Sequence, residues 1–145
     1  MRTPFIAAAA LAAFAAAGPA AAANVQVKML NSGPGGAMVF SPALVNIKPG
    51  DSVTFVPTDP THNAESISSM LPPGAAAFKG PLSKPLTVTF TKPGVYGYKC
   101  TPHYGMGMVG AVVVGSSAPN GAAAKAATHP GLAKKRFATI MAGVK

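Results

Sequence analysis

The pattern of hydrophobic and polar positions over residues 25–114 predicts a series of short β-strands. At residues 25–29 apolar and polar residues alternate, as on a strand that buries one face. Similar runs, rich in β-branched and aromatic residues, follow at residues 44–47, 52–56, 86–90, 95–99 and 109–114. Pro49–Gly50 and Pro93–Gly94 are typical turn pairs. Short strands separated by such turns predict a β-sandwich or small barrel.

The segment after Gly115 has a different pattern. Residues 116–121 read as a linker and residues 122–127 as helix-prone, and Pro130 suits the first turn of a second helix. That helix is amphipathic, with Lys134, Lys135 and Ala138 opposite an apolar face formed by Leu132, Phe137, Ile140, Met141 and Val144. We expect the apolar face to pack on the sandwich, the alternative being an anionic membrane surface. Residues 77–80 are predicted to be loop with one turn of helix.

The first 22 residues have the layout of a secretory signal peptide. Arg2 precedes an apolar stretch at residues 5–17, Gly18–Pro19 breaks it, and small residues follow, which places the cut near Ala22 or Ala23. A transmembrane helix is the alternative, but the stretch is shorter than the roughly 20 residues of a span. We therefore expect residues 23–145 to form one domain, with a β-sandwich over 23–115 and a helical tail over 116–145, and no stable membrane insertion.

The chain is strongly basic, with 12 lysines and arginines, 3 acidic residues and a formal net charge of +9. Such an imbalance steers association toward negatively charged partners. The sequence carries no nucleic-acid-binding module, and its aromatic residues do not interleave with the basic ones. We therefore predict an acidic protein surface as partner and no nucleic acid; a basic surface that only keeps the protein in solution is the alternative.

The only cysteine, Cys100, begins the run Cys-Thr-Pro-His-Tyr-Gly-Met-Gly-Met. In an exported protein an unpaired cysteine is buried and inert, joined to another molecule, or bound to a metal. His103 and Met108 lie in the same loop and His62 lies upstream. Two imidazoles, a thiolate and a weak thioether are the ligand set of a blue-copper electron-transfer site.

Two other functions would also use some of these residues. A Cys100 nucleophile activated by His103 would need a third group to orient the base, and the loop offers no acidic residue. A copper-storage or copper-delivery module would favour exchangeable ligands on flexible loops. The remaining methionines, among them Met38, Met70 and Met106, are instead scattered along the chain.

Several motifs resemble the cupredoxins and, within them, the pseudoazurin branch: Val27–Leu30, Phe40–Pro42, Lys48–Asp51, His62–Ile67 and Tyr98–Met108, together with the two-helix tail. The resemblance covers nearly all of residues 23–145. It implies a mainly β, Greek-key cupredoxin sandwich with one type 1 copper ion, bound by His62, Cys100, His103 and Met108. It also implies one-electron transfer in the periplasm, without enzymatic activity. The partners expected for a monomer of this kind are copper nitrite reductases and c-type cytochromes.

Neighbouring residues have predicted roles as well. The Asn63 backbone N–H is expected to donate to the Cys100 sulfur, and its side chain to tie the two ligand loops together. Pro102 has no N–H, so the sulfur is expected to accept one backbone hydrogen bond and not two.

The edge of the His103 ring is expected to reach the surface and to pass the electron. The surrounding apolar patch is predicted to contain Met38, Pro57, Met106 and Pro102, with Lys79 and Lys99 as rim charges for docking. His129 is expected at the surface of the tail, away from the ligand loops.

Overall fold

A computed structural model describes residue 18 and residues 20–145, so the predicted signal peptide at residues 1–22 falls mostly outside the described part. The described chain forms two four-stranded sheets and two terminal helices. The strands are β1 Asn24–Gly33, β2 Gly36–Ser41, β3 Leu44–Ile47, β4 Ser52–Pro57, β5 Glu65–Ser66, β6 Leu86–Thr89, β7 Gly94–Lys99 and β8 Val109–Val114. The predicted mainly β sandwich with a two-helix extension is confirmed.

The first sheet has the order β2-β1-β4-β6. β1 runs parallel to β4, with Val27 opposite Phe55. Because parallel strands end at the same edge of a sheet, the segments that follow β1 and β4 meet at one end of the sandwich. This edge carries Asn31 near the end of β1, and His62 five residues after β4.

The second sheet has the order β3-β8-β7-β5. β7 and β8 form an antiparallel hairpin in which Lys99 pairs with Val109. The residues between them, Cys100 to Met108, therefore form a loop whose two ends lie side by side. A backbone hydrogen bond of 2.9 Å from Cys100 N–H to Met108 O closes it.

The core between the sheets is built from apolar side chains that alternate along the strands. Val27, Phe40 and Phe55 of the first sheet are at most 1% exposed. The Tyr98 ring of the second sheet meets the Phe40 and Phe55 rings at 4.8 and 4.9 Å between centroids. Cys100 and Met108 belong to the same cluster, so the loop that carries them rests directly on the core.

The tail contains α1, Gly121–Ala126, and α2, Gly131–Ala142. α2 packs on the outer face of the second sheet through Ala133, Phe137 and Met141, which form a second core cluster with Val109, Ala111 and Val113 of β8. The apolar face of the helix thus packs on the sandwich, as expected from the sequence. Leu132 was wrongly assigned to the buried face: it is 57% exposed, because it lies about 100° around the helix from Ala133.

Other local predictions were wrong or missing. Residues 77–80 contain no helical turn; a 3-10 turn occurs earlier, at Ser68–Met70, and Lys79 makes an isolated β-bridge with Glu65. β2 was not predicted, since it begins with glycine and alanine and its apolar residues do not alternate with polar ones. Within the described part of the chain, no helix has the length and apolar character to cross a membrane.

Candidate metal centre

Two loops bring His62, Cys100 and His103 together at the edge where β1, β4 and β7 end. His62 and Cys100 are fully buried and His103 is half-buried. A 3-10 turn at Thr101–His103 follows Cys100 directly. It folds the imidazole of His103 back toward the sulfur, which is why a spacing of three residues suits two ligands of one ion.

The three donor atoms form a compact triangle. The distances are 3.1 Å between the two Nδ1 atoms, 3.8 Å from Cys100 Sγ to His62 Nδ1, and 3.5 Å from Sγ to His103 Nδ1. Metal bonds of roughly 2.0 Å to nitrogen and 2.3 Å to sulfur, taken from zinc, would place such atoms about 3.5–3.7 Å apart in a trigonal plane. The triangle therefore has the right size for one first-row metal ion.

Met108 ends the loop that carries Cys100 and His103. Its side chain is fully buried in the cluster that contains Cys100. Its N–H donates to His103 O at 3.1 Å, and its carbonyl accepts from Cys100 N–H. The thioether is therefore carried by the same closed loop as the thiol and one imidazole, which suits a weak fourth ligand.

The orientation of His62 is set by Asn31. His62 Nε2 lies 2.9 Å from Asn31 Oδ1, and an amide oxygen only accepts, so the proton is on Nε2. Nδ1 then turns its lone pair toward Cys100 and His103. Burial, helped by the neighbouring His103, lowers the pKa of His62, so the ring stays neutral at pH 7, as a metal ligand must be. No pattern in the sequence indicated the role of Asn31.

The pKa of the Cys100 thiol is shifted in opposite directions by burial and by nearby N–H groups. Burial raises its pKa, and the backbone N–H groups of Asn63 and His103 lower it. A nearby metal ion would favour the thiolate further. The His103 N–H donates its hydrogen bond to the Cys100 carbonyl oxygen at 3.2 Å, so the expectation of one backbone donor to the sulfur, from Asn63, stays a prediction.

The Asn63 side chain makes three hydrogen bonds, two of which join the His62 loop to the Cys100 loop. Its Oδ1 accepts from Thr101 N–H at 2.8 Å, and its Nδ2 donates to Thr101 Oγ1 and Gly80 O at 3.0 and 3.1 Å. Thr101 Oγ1 in turn donates to Glu65 Oε2 at 2.6 Å. The chain of contacts runs from one loop to the other, so His62 and Cys100 are held in fixed relation.

Comparison with known proteins agrees with this site. The family model of copper binding proteins of the plastocyanin/azurin family matches residues 27–115. The chain is 55% identical to pseudoazurin of Methylorubrum extorquens, over 97% of this chain and 95% of that one, and 51% identical to pseudoazurin of Paracoccus pantotrophus, over 96% of each. The crystal structure of pseudoazurin from Methylobacterium extorquens AM1 superposes with a TM-score of 0.82 at 53% identity, over 84% of this chain and 99% of that one.

The chain belongs to the pseudoazurins. Pseudoazurins are cupredoxins, electron-transfer proteins with a type 1 copper ion and not enzymes. The two-sheet cupredoxin fold with two C-terminal helices and the copper cofactor predicted from the sequence are therefore confirmed. The mutual distances of His62, Cys100 and His103, all within 4.8 Å, fit the copper of this family.

The residues predicted to form the docking surface have varied surroundings. Met38 and Pro57 are half-buried, while Met106 is 48% exposed and Pro102 is exposed. Lys79 is exposed and lies 3.5 Å from Glu65 Oε2. Its charge is thus partly balanced.

Lys99 lies over the aromatic ring of Tyr104, in the ligand loop, with its Nζ 4.9 Å from the centre of that ring. This cation–π contact keeps the Lys99 charge close to the loop that carries Cys100 and His103. Lys99 therefore remains near the copper end of the molecule.

His129 is not the isolated surface residue that the sequence predicted. It is half-buried, its Nδ1 lies 2.7 Å from Tyr104 Oη, and its ring lies 4.2 Å from that of Phe137. Tyr104 follows His103 in the ligand loop. The helical tail of this pseudoazurin therefore contacts the loop, a relation that periodicity along the sequence cannot reveal.

Proposed function

We propose that this pseudoazurin carries single electrons between protein partners in the periplasm, on one copper ion held by His62, Cys100, His103 and Met108. A bound copper ion supplies the electron by alternating between Cu(II) and Cu(I). The observation that carries the proposal is the triangle of two imidazole nitrogens and one sulfur, with sides of 3.1 to 3.8 Å.

The protein side of this function is to hold the donors still. Asn31 fixes the tautomer of His62, and Asn63 ties the two ligand loops together. Pro102 contributes no N–H to the sulfur. Such outer contacts tune the affinity and potential of a metal site.

Burial of the donors supports a carrier over a copper-storage or copper-delivery module. Cys100, His62 and Met108 have no exposed surface. Exchange of metal with another protein would require the loop to open, whereas an electron needs only the half-buried edge of His103. The same burial denies a peptide substrate access to the thiol.

A titration with Cu(II) tests the ligand set. One equivalent is expected to produce the intense blue band of a thiolate–Cu(II) bond, and Cys100→Ser to abolish it. Met108→Leu is expected to alter the spectrum, while Met70→Leu, a matched change in the second core cluster, leaves it unchanged. Absence of the blue band in the wild type would refute the proposal.

We also propose that acidic surfaces of a copper nitrite reductase or a c-type cytochrome dock over His103. The exposed thioether of Met106 and the charge of Lys99 beside the loop support this. A small apolar contact with a charged rim permits fast, salt-dependent exchange between partners.

Electron-transfer rates against ionic strength test the docking site. Met106→Ala and Lys99→Ala are expected to slow transfer, Lys99→Ala with a weaker salt dependence. Lys145→Ala, in the tail, serves as control. Unchanged rates in both variants would exclude this surface as the docking site.

Export and monomeric state complete the proposal. The charge, apolar run and small residues at 1–23 support cleavage near Ala22 or Ala23. Mass spectrometry of the periplasmic fraction measures the mature N-terminus, and light scattering the mass in solution. A full-length cytoplasmic product would contradict export.

A further inference from the structure

A single side chain of α2, Arg136, connects the helix both to the ligand loop and to the start of β2. Its guanidinium donates hydrogen bonds to four backbone carbonyl oxygens. One of them is Gly107 O at 2.9 Å, in the ligand loop. The other three lie at the start of β2 and in the turn before it, at Met38 O (2.6 Å), Ala37 O (2.7 Å) and Gly35 O (3.4 Å).

The outer turn of the ligand loop needs such a restraint. Two of its residues, Gly105 and Gly107, are glycines, which leave the backbone more freedom than any other residue; Gly107 has φ of 90°. The turn lies between His103 and Met108, so a shift of Gly107 moves a proposed ligand on either side.

Helix α2 is a rigid support for this turn. It is anchored in the second core cluster by Phe137, which is 3% exposed. At its start, Leu132 N–H donates to Gly105 O at 3.0 Å. Packing is tight as well, since a Cβ at Gly107 would lie 3.0 Å from Arg136 Cδ.

We propose that Arg136 is a positioning residue for the copper site. It clamps the turn at Gly107 between α2 and β2, and so fixes His103 and Met108 relative to the Met38 side of the apolar patch. Only a planar guanidinium with a fork of donors can reach carbonyls on both sides at once; a lysine ammonium cannot span them. The inference rests on the proposed ligand set, because that set gives the loop its function.

The clamp is tested first in the metal-free protein, by amide hydrogen exchange. The reporting amides are those of Met106, Gly107 and Met108, which are bonded within the loop. We expect Arg136→Met to speed their exchange about ten- to hundredfold, the range for losing a hydrogen bond to a charged group. Arg136→Lys is expected to be intermediate. Lys135→Met, the loss of an exposed cation on the same helix, is the matched control and is expected to match the wild type.

The copper-loaded protein supplies a second measurement. Arg136→Met is expected to shift the reduction potential and the relative intensities of the visible bands. Arg136→Lys is expected to give a smaller shift in the same direction, and Lys135→Met none. These quantities respond to the placement of Met108 and His103, and a purely structural role of Arg136 would leave them unchanged.

Unchanged exchange at the three loop amides in both Arg136 variants would overturn the inference. Acceleration that is equal in the loop and at Val112, in the β7–β8 ladder, would do so too, because it would show a general loss of stability. If Arg136→Met does not fold, the exchange and potential of Arg136→Lys decide. Failure of the wild type to form a blue site would refute the proposed function, while the exchange data would still report on the clamp itself.

Discussion

Substitution of Asn63 by alanine tests how firmly the two ligand loops are joined. Asn63 is 3% exposed and makes three side-chain hydrogen bonds, one to Gly80 O and two to Thr101. Asn63→Ala removes all three without adding bulk. The backbone N–H of Asn63, which faces the Cys100 sulfur, remains in place.

The expected loss of stability depends on whether the former partners of the Asn63 side chain can form hydrogen bonds with water instead. Gly80 is buried, so its carbonyl oxygen is left without a donor, at a cost of about 1–3 kcal/mol. Thr101 is exposed, so its N–H and hydroxyl groups can bond to water instead. The loss of stability for each of these two hydrogen bonds is therefore near the lower end of about 0.5–1.5 kcal/mol. The sum is about 3 kcal/mol, a change of more than a hundredfold in the folding equilibrium.

Guanidinium denaturation of the metal-free protein measures this loss. The matched control is Asn46→Ala: in the part of the chain that the structure describes, the Asn46 side chain is exposed and forms no hydrogen bond. We expect the control to stay within about 0.5 kcal/mol of the wild type. A difference below about 1 kcal/mol between the two variants would refute the reasoning, because the loops would then be held together by other contacts.

Three further predictions concern the surroundings of the site. Asn31→Leu removes the acceptor that orients His62, and competition with a chelator should show copper affinity falling about 10- to 100-fold, while Asn31→Asp retains it. Pro102→Ala adds a possible donor to the thiolate and should raise the reduction potential in voltammetry; an unchanged or lower potential would contradict this. The hydrogen bond from Thr101, ahead of the nearby lysines, lowers the pKa of Glu65. Because its pKa is lower in the folded state, ionised Glu65 stabilises the folded protein at pH values above the ordinary pKa of 4.5. This stabilisation is lost as the pH falls through the pKa of the folded state. Glu65→Gln should therefore flatten the acid side of the curve of unfolding free energy against pH, and a parallel curve would contradict the assignment.

Much of the sandwich could be predicted, because apolar and polar residues alternate along strands such as β1 and β4 and Pro–Gly pairs mark turns between strands. β2 was missed, since Gly36 and Ala37 begin it and the apolar residues that follow, Met38, Val39 and Phe40, do not alternate with polar ones. β5 has two residues, too few for any pattern. Strands of this kind are set by their neighbours in the sheet and not by their own sequence.

The proposed ligands were accessible to sequence reasoning because three of them share one short loop. Asn31 was not, because it looks like any polar residue of an exposed strand. Only the parallel register of β1 and β4 places it at the edge where His62 lies. Arg136 was missed for a similar reason: its carbonyl partners Gly35 and Gly107 lie 101 and 29 residues away.

The contacts around the site explain how one arrangement can serve two oxidation states. Two of the proposed ligands are held by hydrogen bonds of the protein itself: His62 through Asn31, and Cys100 through the closed loop and the bonds of Asn63 to Thr101. Because these hydrogen bonds involve no metal, they persist whether an electron is present or not. Cu(I) and Cu(II) prefer different geometries, and a site that followed either preference would have to rearrange at every transfer. Donors held by their own hydrogen bonds and resting on a close-packed core have little room to move, which keeps that rearrangement small.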